Sequence, residues 1–362
     1  MWPNQRLIDL LEIDLPIILS PMSGIGTVEL ASAVCNAGGL GSIGCAGLAP
    51  DVVRRQIDEL RARTKRPFSL NFFCHTATQV DAAANSAWLK RLSPYFSEFG
   101  IEYDALVPPP DLAPFGDLMC SLVEETRPAV ASFHFGLPGR DLITRIRSAG
   151  CRILSSATTV EEAVWLEDHG ADIIIAQGAE AGGHRGMFLA ANINSAATSQ
   201  LGTFALVPQI VDAVSVPVVA AGGIADGRGI AAALALGAAG VQMGTAFLLC
   251  NETNTSAIYR EMLRRSESGA TMLTNVFTGR PARAFANRLS REVGPISCIA
   301  PSFPGAIAAT AQLRAEAQKS GSTAFTPFWA GQASPLTRET PAADLTKELA
   351  AEAMDCLRML SV

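Results

Sequence analysis

What the 362-residue chain lacks narrows it first. Only 17% of the residues are charged, the net charge is −6, and no Lys/Arg cluster occurs. A nucleic acid or other polyanion needs a concentrated basic face, so no such partner is expected. No stretch reaches the ~18 unbroken apolar residues of a membrane span. The apolar run Ala231–Ala239 is shorter and patterned as a helix. The opening MWPNQRLIDLLEIDLP scatters acids where a signal peptide holds an apolar core. No membrane attachment and a cytoplasmic location are therefore expected. The eight cysteines form no CxxC and no metal-ligand spacing, and several lie in apolar runs. Buried thiols in a reducing compartment fit this better than a disulfide framework, and no metal site is expected. No carboxylate pair and no strand-end lysine stand where chemistry would occur. Paired-carboxylate and Schiff-base chemistry are disfavoured accordingly.

What is present is a 49% hydrophobic content and a rhythm. Short apolar runs at Ile17–Ser20, Leu40–Ile43, Phe68–Asn71, Ala129–Phe133, Arg152–Ser155, Asp172–Ala176, Val218–Ala221 and Gly240–Met243 alternate with helical patterns. Eight strands alternating with helices predict a (β/α)8 TIM barrel. The competing doubly wound sheet would carry its glycine fingerprint after the first strand. Here that strand ends in Pro21-Met22-Ser23-Gly24, and the glycine signals follow strands seven and eight, where barrels bind phosphate. A helix near Ser256–Glu267 is expected to close the barrel. The long segment His75–Pro114 interrupts the rhythm after strand three, and another long segment follows strand eight. Connections of that length carry their own helices or a function. Both are read as a helical cap, giving a barrel of 1–74 and 114–268 and a cap of 75–113 and 269–362.

The stretch VVAAGGIADGRGIAAALALGAAGVQMGTAFLL, Val218–Leu249, organises the rest. Gly222-Gly223 permit a sharp turn and close approach to a ligand. Asp226 suits a helix N-cap and Gly237 a C-cap. Gly244-Thr245 end the next strand. Unpaired amides beside two helix starts favour an anion, with the helix dipoles adding to the pull.

Catalytic groups in barrels sit at the C-terminal strand ends. Those ends offer Pro21-Met22-Ser23, Asn71, His134, Gln177 with the EAGGHRG loop, Gly222-Gly223 and Gln242–Thr245. Amides for ring edges, glycines for close contact and N–H groups for one phosphate fit a large flat ligand. Flavin mononucleotide (FMN) has that shape and would carry the redox work. His184 reads as a general base or as a solvated loop residue. His134 reads as a ligand contact or a hydrogen-bonded core residue. His75 is a weaker candidate, and His169, at a helix end, reads as structural. Arg185 and Trp329 each stay open between site and scaffold. A phosphate-binding isomerase or lyase without flavin, and a non-catalytic flavin module, remain the alternatives at this point.

The chain also resembles the nitronate monooxygenases, formerly 2-nitropropane dioxygenases, and within them class I. The resemblance rests on PIILSPMSG, NFF at 71–73, LSPYFSEFG, SFHFG at 132–136, QGAEAGGHRG at 177–186, AAGGIADGRGIAAALALGAAGVQMGTAF at 220–247, FTGRPAR at 277–283 and WAGQ at 329–332. It implies FMN held by Pro21, Met22, Ser23, Asn71, Gln177, Gly182, Gly183, Gly222, Gly223, Gln242, Met243, Gly244 and Thr245, with Trp329, Ala330, Gly331 and Gln332 nearby. His184 would be the catalytic base, and His134 would help hold the substrate nitro group or the flavin edge. The implied reaction takes alkyl nitronates, and nitroalkanes after deprotonation, with O2 to carbonyl compounds and nitrite. The alternative is an FMN-dependent NAD(P)H reductase of a quinone or enoyl thioester. The expected partners are a small molecule and O2, with a homodimer left open. One departure stands out. The segment after FTGRPAR, APSFPGAIAATAQLR, has no Tyr or Lys where class I members tend to carry them. A more apolar, less basic substrate pocket is the expectation.

Overall fold

The computed structural model describes residues 1–77, 81–102 and 112–360. Eight parallel strands form the barrel: β1 (Ile17–Leu19), β2 (Gly41–Gly44), β3 (Phe68–Phe73), β4 (Val130–His134), β5 (Arg152–Ala157), β6 (Ile173–Gln177), β8 (Val218–Ala221) and β9 (Gly240–Met243). Their order is β1-β9-β8-β6-β5-β4-β3-β2, and an Ile18–Leu40 bridge closes the β1–β2 seam. The predicted runs become strands because neighbouring helices cover their outer faces while the inner faces meet one another. Ile153 of β5 packs outward among the helices and Leu154 packs inward, the period of two expected of a strand. Leu7 and Leu11, on the short helix Arg6–Leu11, join that inner core and plug the barrel floor.

Local signals behave as the sequence implies. Thr159 caps the helix Val160–Asp168 by accepting from the Glu162 amide, and Asp226 caps Gly227–Ala235 by accepting from the Gly229 amide. Gly237 follows that helix at φ +94°, a conformation costly for any residue with a Cβ.

Two expectations need correction. The helix Ala257–Arg264 does not close the barrel; its Tyr259 and Leu263 pack with Phe285 and Phe328. The terminal helix Ala342–Leu360, expected in the cap, takes the closing place. Leu345, Leu349 and Ala353 join the outer core between Val28–Asn36 and Gly227–Ala235. Its buried face is apolar at helical spacing, so any uncovered flank of the barrel suits it.

The insertion forms a helix, Ala82–Glu98, whose Trp88, Leu92 and Phe96 pack against Phe277, Leu313 and Phe325 of the C-terminal segment. A small antiparallel sheet, β10 (Thr271–Thr274), β11 (Ala282–Phe285) and β7 (Gly183–His184), ties the cap to the barrel rim.

Candidate active site

A cavity of about 350 Å³ opens at the C-terminal ends of the strands. Its wall includes every residue to which the resemblance assigned catalysis or cofactor binding except Ala330 and Gln332, and it leaves out the weaker candidates His75 and Arg185. Ala330 points into the cluster around Phe328, and Gln332 is exposed. Their segment matters through backbone instead. The Gly331 amide donates to Thr245 Oγ1 at 2.9 Å and the Gln332 amide to the Glu180 carbonyl at 2.9 Å.

One part of the wall is backbone. Gly222 and Gly223 adopt φ of +111° and +72°. A Cβ on Gly222 would stand 2.9 Å from the Ala181 nitrogen, and one on Gly182 would stand 2.6 Å from the Gly331 nitrogen. The amides of Gly223, Gly244 and Thr245 meet no backbone acceptor among the described residues. Free N–H groups in a glycine-lined hollow suit a phosphate. The expected helix dipole at Gly227–Ala235 does not serve it. That helix gives its Gly229 amide to Asp226 and its Gly227 amide to Glu352.

The other part is built from side chains around His184. Pairing of β7 with β11 puts His184 opposite Ala282. Its carbonyl accepts from His134 Nε2 at 3.1 Å and from Gln177 Nε2 at 2.9 Å. Its ring lies 5.4 to 6.1 Å, centroid to centroid, from Phe73, Phe135, Phe303 and Trp329. His184 Nε2 is 3.0 Å from Thr278 Oγ1, whose hydroxyl also reaches the Arg280 carbonyl. With the Thr278 proton on that carbonyl, His184 Nε2–H donates and Nδ1 keeps its lone pair. The tautomer is assigned from this network. Burial, with His134 and Arg280 nearby, pushes the His184 pKa down to about 3. His184 is therefore neutral at pH 7. It can accept a proton when a neighbouring anion compensates the charge.

Of the two readings of His134, the geometry favours the hydrogen-bonded residue over a contact to the nitro group. A carbonyl can only accept, so His134 Nε2 must donate to His184, and Nδ1 accepts from Ser156 Oγ at 2.5 Å. Both nitrogens are spent on protein, leaving none for a nitro group. Burial holds His134 down to about 3, against the raising effect of its bond to His184. It orients the loop that carries His184. Gln177 does likewise, its Oε1 accepting from the Gly186 amide at 2.8 Å. Asn71 gives Nδ2 to Ser132 Oγ. Arg185 is fully buried and holds the Gln177 and Gly178 carbonyls, which removes the surface reading. His169 stacks on Trp165, as a structural residue should. His75 is buried beside Phe303 and outside the cavity wall.

Sequence reasoning missed Ser156, Thr278 and Phe303. Ser156 stands at the end of strand five, which with strand two is a part of the rim it passed over. Thr278 lies within FTGRPAR, a motif noted without a role for any member.

A barrel with an amide-lined anion cradle and a neutral, half-buried histidine in one cavity fits a flavin-dependent oxidoreductase. The nitronate monooxygenase family model matches residues 4–352. A nitronate monooxygenase from Pseudomonas aeruginosa is 46% identical over 96% of this chain and 99% of its own. Among solved structures, a nitroalkane oxidase from Streptomyces ansochromogenes superposes with a TM-score of 0.88 at 38% identity, covering 98% of this chain and 99% of the other. FabK from Thermotoga maritima is more distant, with a TM-score of 0.73 at 28% identity, covering 100% and 99%. The chain belongs to the nitronate monooxygenase family and is an enzyme that oxidises nitronates.

Proposed function

We propose that this enzyme uses FMN and O2 to oxidise alkyl nitronates, and nitroalkanes once deprotonated, releasing a carbonyl compound and nitrite. The observation that carries the reading is His184: neutral, fixed at its backbone, and with Nδ1 unpartnered among the described residues, beside the cavity. FMN is favoured because the cradle at Gly223, Gly244 and Thr245 suits one terminal phosphate and the cavity, at about 350 Å³, suits one mononucleotide. Gly182, Gly222 and Gly331 keep backbone close to such a ligand. When bound, the flavin supplies electron acceptance and the coupling to O2.

The chain's own residues do the rest. A nitronate arrives as an anion and needs no base. A nitroalkane must lose its α-proton. His184 Nδ1 takes that proton, and the C–H electron pair moves into the nitro group. The resulting anion lies beside the new imidazolium and stabilises it. Thr278, His134 and Gln177 hold the ring and its backbone, and Phe73, Phe303 and Trp329 exclude water. All eight cysteines are free thiols, which supports a reducing, cytoplasmic setting. No helix among the described residues is long and apolar enough to cross a membrane. A homodimer is part of the same reading and is checked by its mass in solution.

His184→Asn tests the base. Nitroalkane turnover should fall by about 10²- to 10⁴-fold, while nitronate turnover and bound flavin persist. Equal loss of both activities overturns the role. Rapid anaerobic bleaching by NADH, without any response to nitronate, would favour the reductase instead. A purified protein with no flavin absorbance would remove the cofactor from the reading.

A further inference from the structure

Among the described residues, no Lys, Arg, Asp or Glu lines the cavity. The positions outside the described set, 78–80, 103–111 and 361–362, contain no Lys or Arg either, so those residues supply no cation. The nearest guanidinium, Arg280, is held 3.9 Å over the Phe135 ring, gives Nη2 to the Met187 carbonyl and does not line the cavity. Around His184 the wall is Phe73, Phe303 and Trp329, extended by Leu112 and Ile307. The hydroxyl in that region, Thr278, is already shared between His184 and the Arg280 carbonyl.

On the reading that nitronates are substrates, we propose that this enzyme selects those with an apolar, uncharged carbon chain and rejects those with a second anionic group. The nitronate's own charge stays at the reacting end, where an imidazolium can form beside it. A carboxylate at the far end of the chain would be buried against aromatic edges and Ile307. It would meet no cation there, and a buried charge without a countercharge is strongly disfavoured. An alkyl chain in the same place removes apolar surface from water and loses nothing.

The experiment compares 1-pentyl nitronate with propionate 3-nitronate on the flavin-loaded enzyme. Turnover is measured in air, and binding is read anaerobically from the change in the flavin spectrum. The pentyl compound should show at least about tenfold higher kcat/KM, the scale on which apolar pockets discriminate, and should bind more tightly. Ile307→Lys should narrow both gaps, chiefly by lowering KM for the carboxylate compound. Ile307→Met should leave them as they are. Equal or better binding and turnover of propionate 3-nitronate by the wild type overturns the selection. So does an unchanged ratio in a flavin-loaded Ile307→Lys enzyme. Tighter binding of the pentyl compound with no turnover of either would uphold the selection and overturn the proposed reaction, so the two failures are distinguishable.

Discussion

The two parts of the cavity wall are made of different material. Around Gly182, Gly222, Gly223 and Gly244 the wall is main chain, and what it offers is N–H groups and room. Around His184 it is side chain, drawn from β3 (Phe73), from β7 (His184) and from three places in the cap: Thr278, Phe303 and Trp329. A main-chain wall is set by the path of the strands and tolerates almost no added atom. A side-chain wall can be altered residue by residue without moving the barrel. The first therefore suits a fixed cofactor and the second a changing substrate.

The largest effect should come from breaking the main-chain part. Gly182→Ala places a methyl group 2.6 to 2.7 Å from backbone atoms of Ala330 and Gly331, which cannot swing aside as a side chain can. The protein should purify nearly colourless and lose all turnover, read as the ratio of flavin to protein absorbance. Retained flavin would show that the 329–332 segment yields easily and that the contrast is overdrawn.

A second prediction concerns acid. His134 and His184 lie at about 3, against 6.5 for a free side chain, mainly through burial. Between pH 6.5 and 3 the unfolded chain binds protons that the folded one refuses. Stability is therefore complete above about pH 6.5 and declines as acid is added through that window. The slope is at most about 1.4 kcal/mol per pH unit for each histidine. Melting temperatures from pH 7 to 4 should fall more steeply for the wild type than for His184→Asn. Parallel curves would mean that the side-chain part is not sealed from water.

The smallest effect is expected at Ser156. Ser156→Ala leaves His134 Nδ1 without its donor, and a lost buried hydrogen bond costs about 1–3 kcal/mol. Nitroalkane turnover should drop by about tenfold or less, while nitronate turnover and flavin content hold. Equal decline in both would indicate a packing role alone.

The same contrast governs what the sequence revealed. The main-chain part was legible because a barrel announces its strands by spacing, and its glycines sit directly after Val218–Ala221 and Gly240–Met243. His184 was legible because it lies within a glycine loop at a strand end. Thr278 and Phe303 were not, because they reach His184 from 94 and 119 positions away in a segment without strand-end logic. His134 stayed open between two readings for a related reason. A strand end predicts where a side chain points, not whether Ser156 and the His184 carbonyl have already claimed both its nitrogens. The terminal helix Ala342–Leu360 carried an apolar face with nothing nearby in sequence to say which surface it would cover.

That helix changes the status of the cap. Because it seals the barrel between the first and last outer helices, the residues from Ala257 to about Ala333 form an internal loop with both ends anchored, rather than an appendage. A loop tethered twice gains little freedom by lifting, since the entropy available grows only slowly with its length. The cap can loosen but cannot depart, and a single nick within it should leave two polypeptides still clasped in one barrel. Assembly has the same constraint in time. The wall stays open until the segment that roofs it has been made, so roof and wall are completed together.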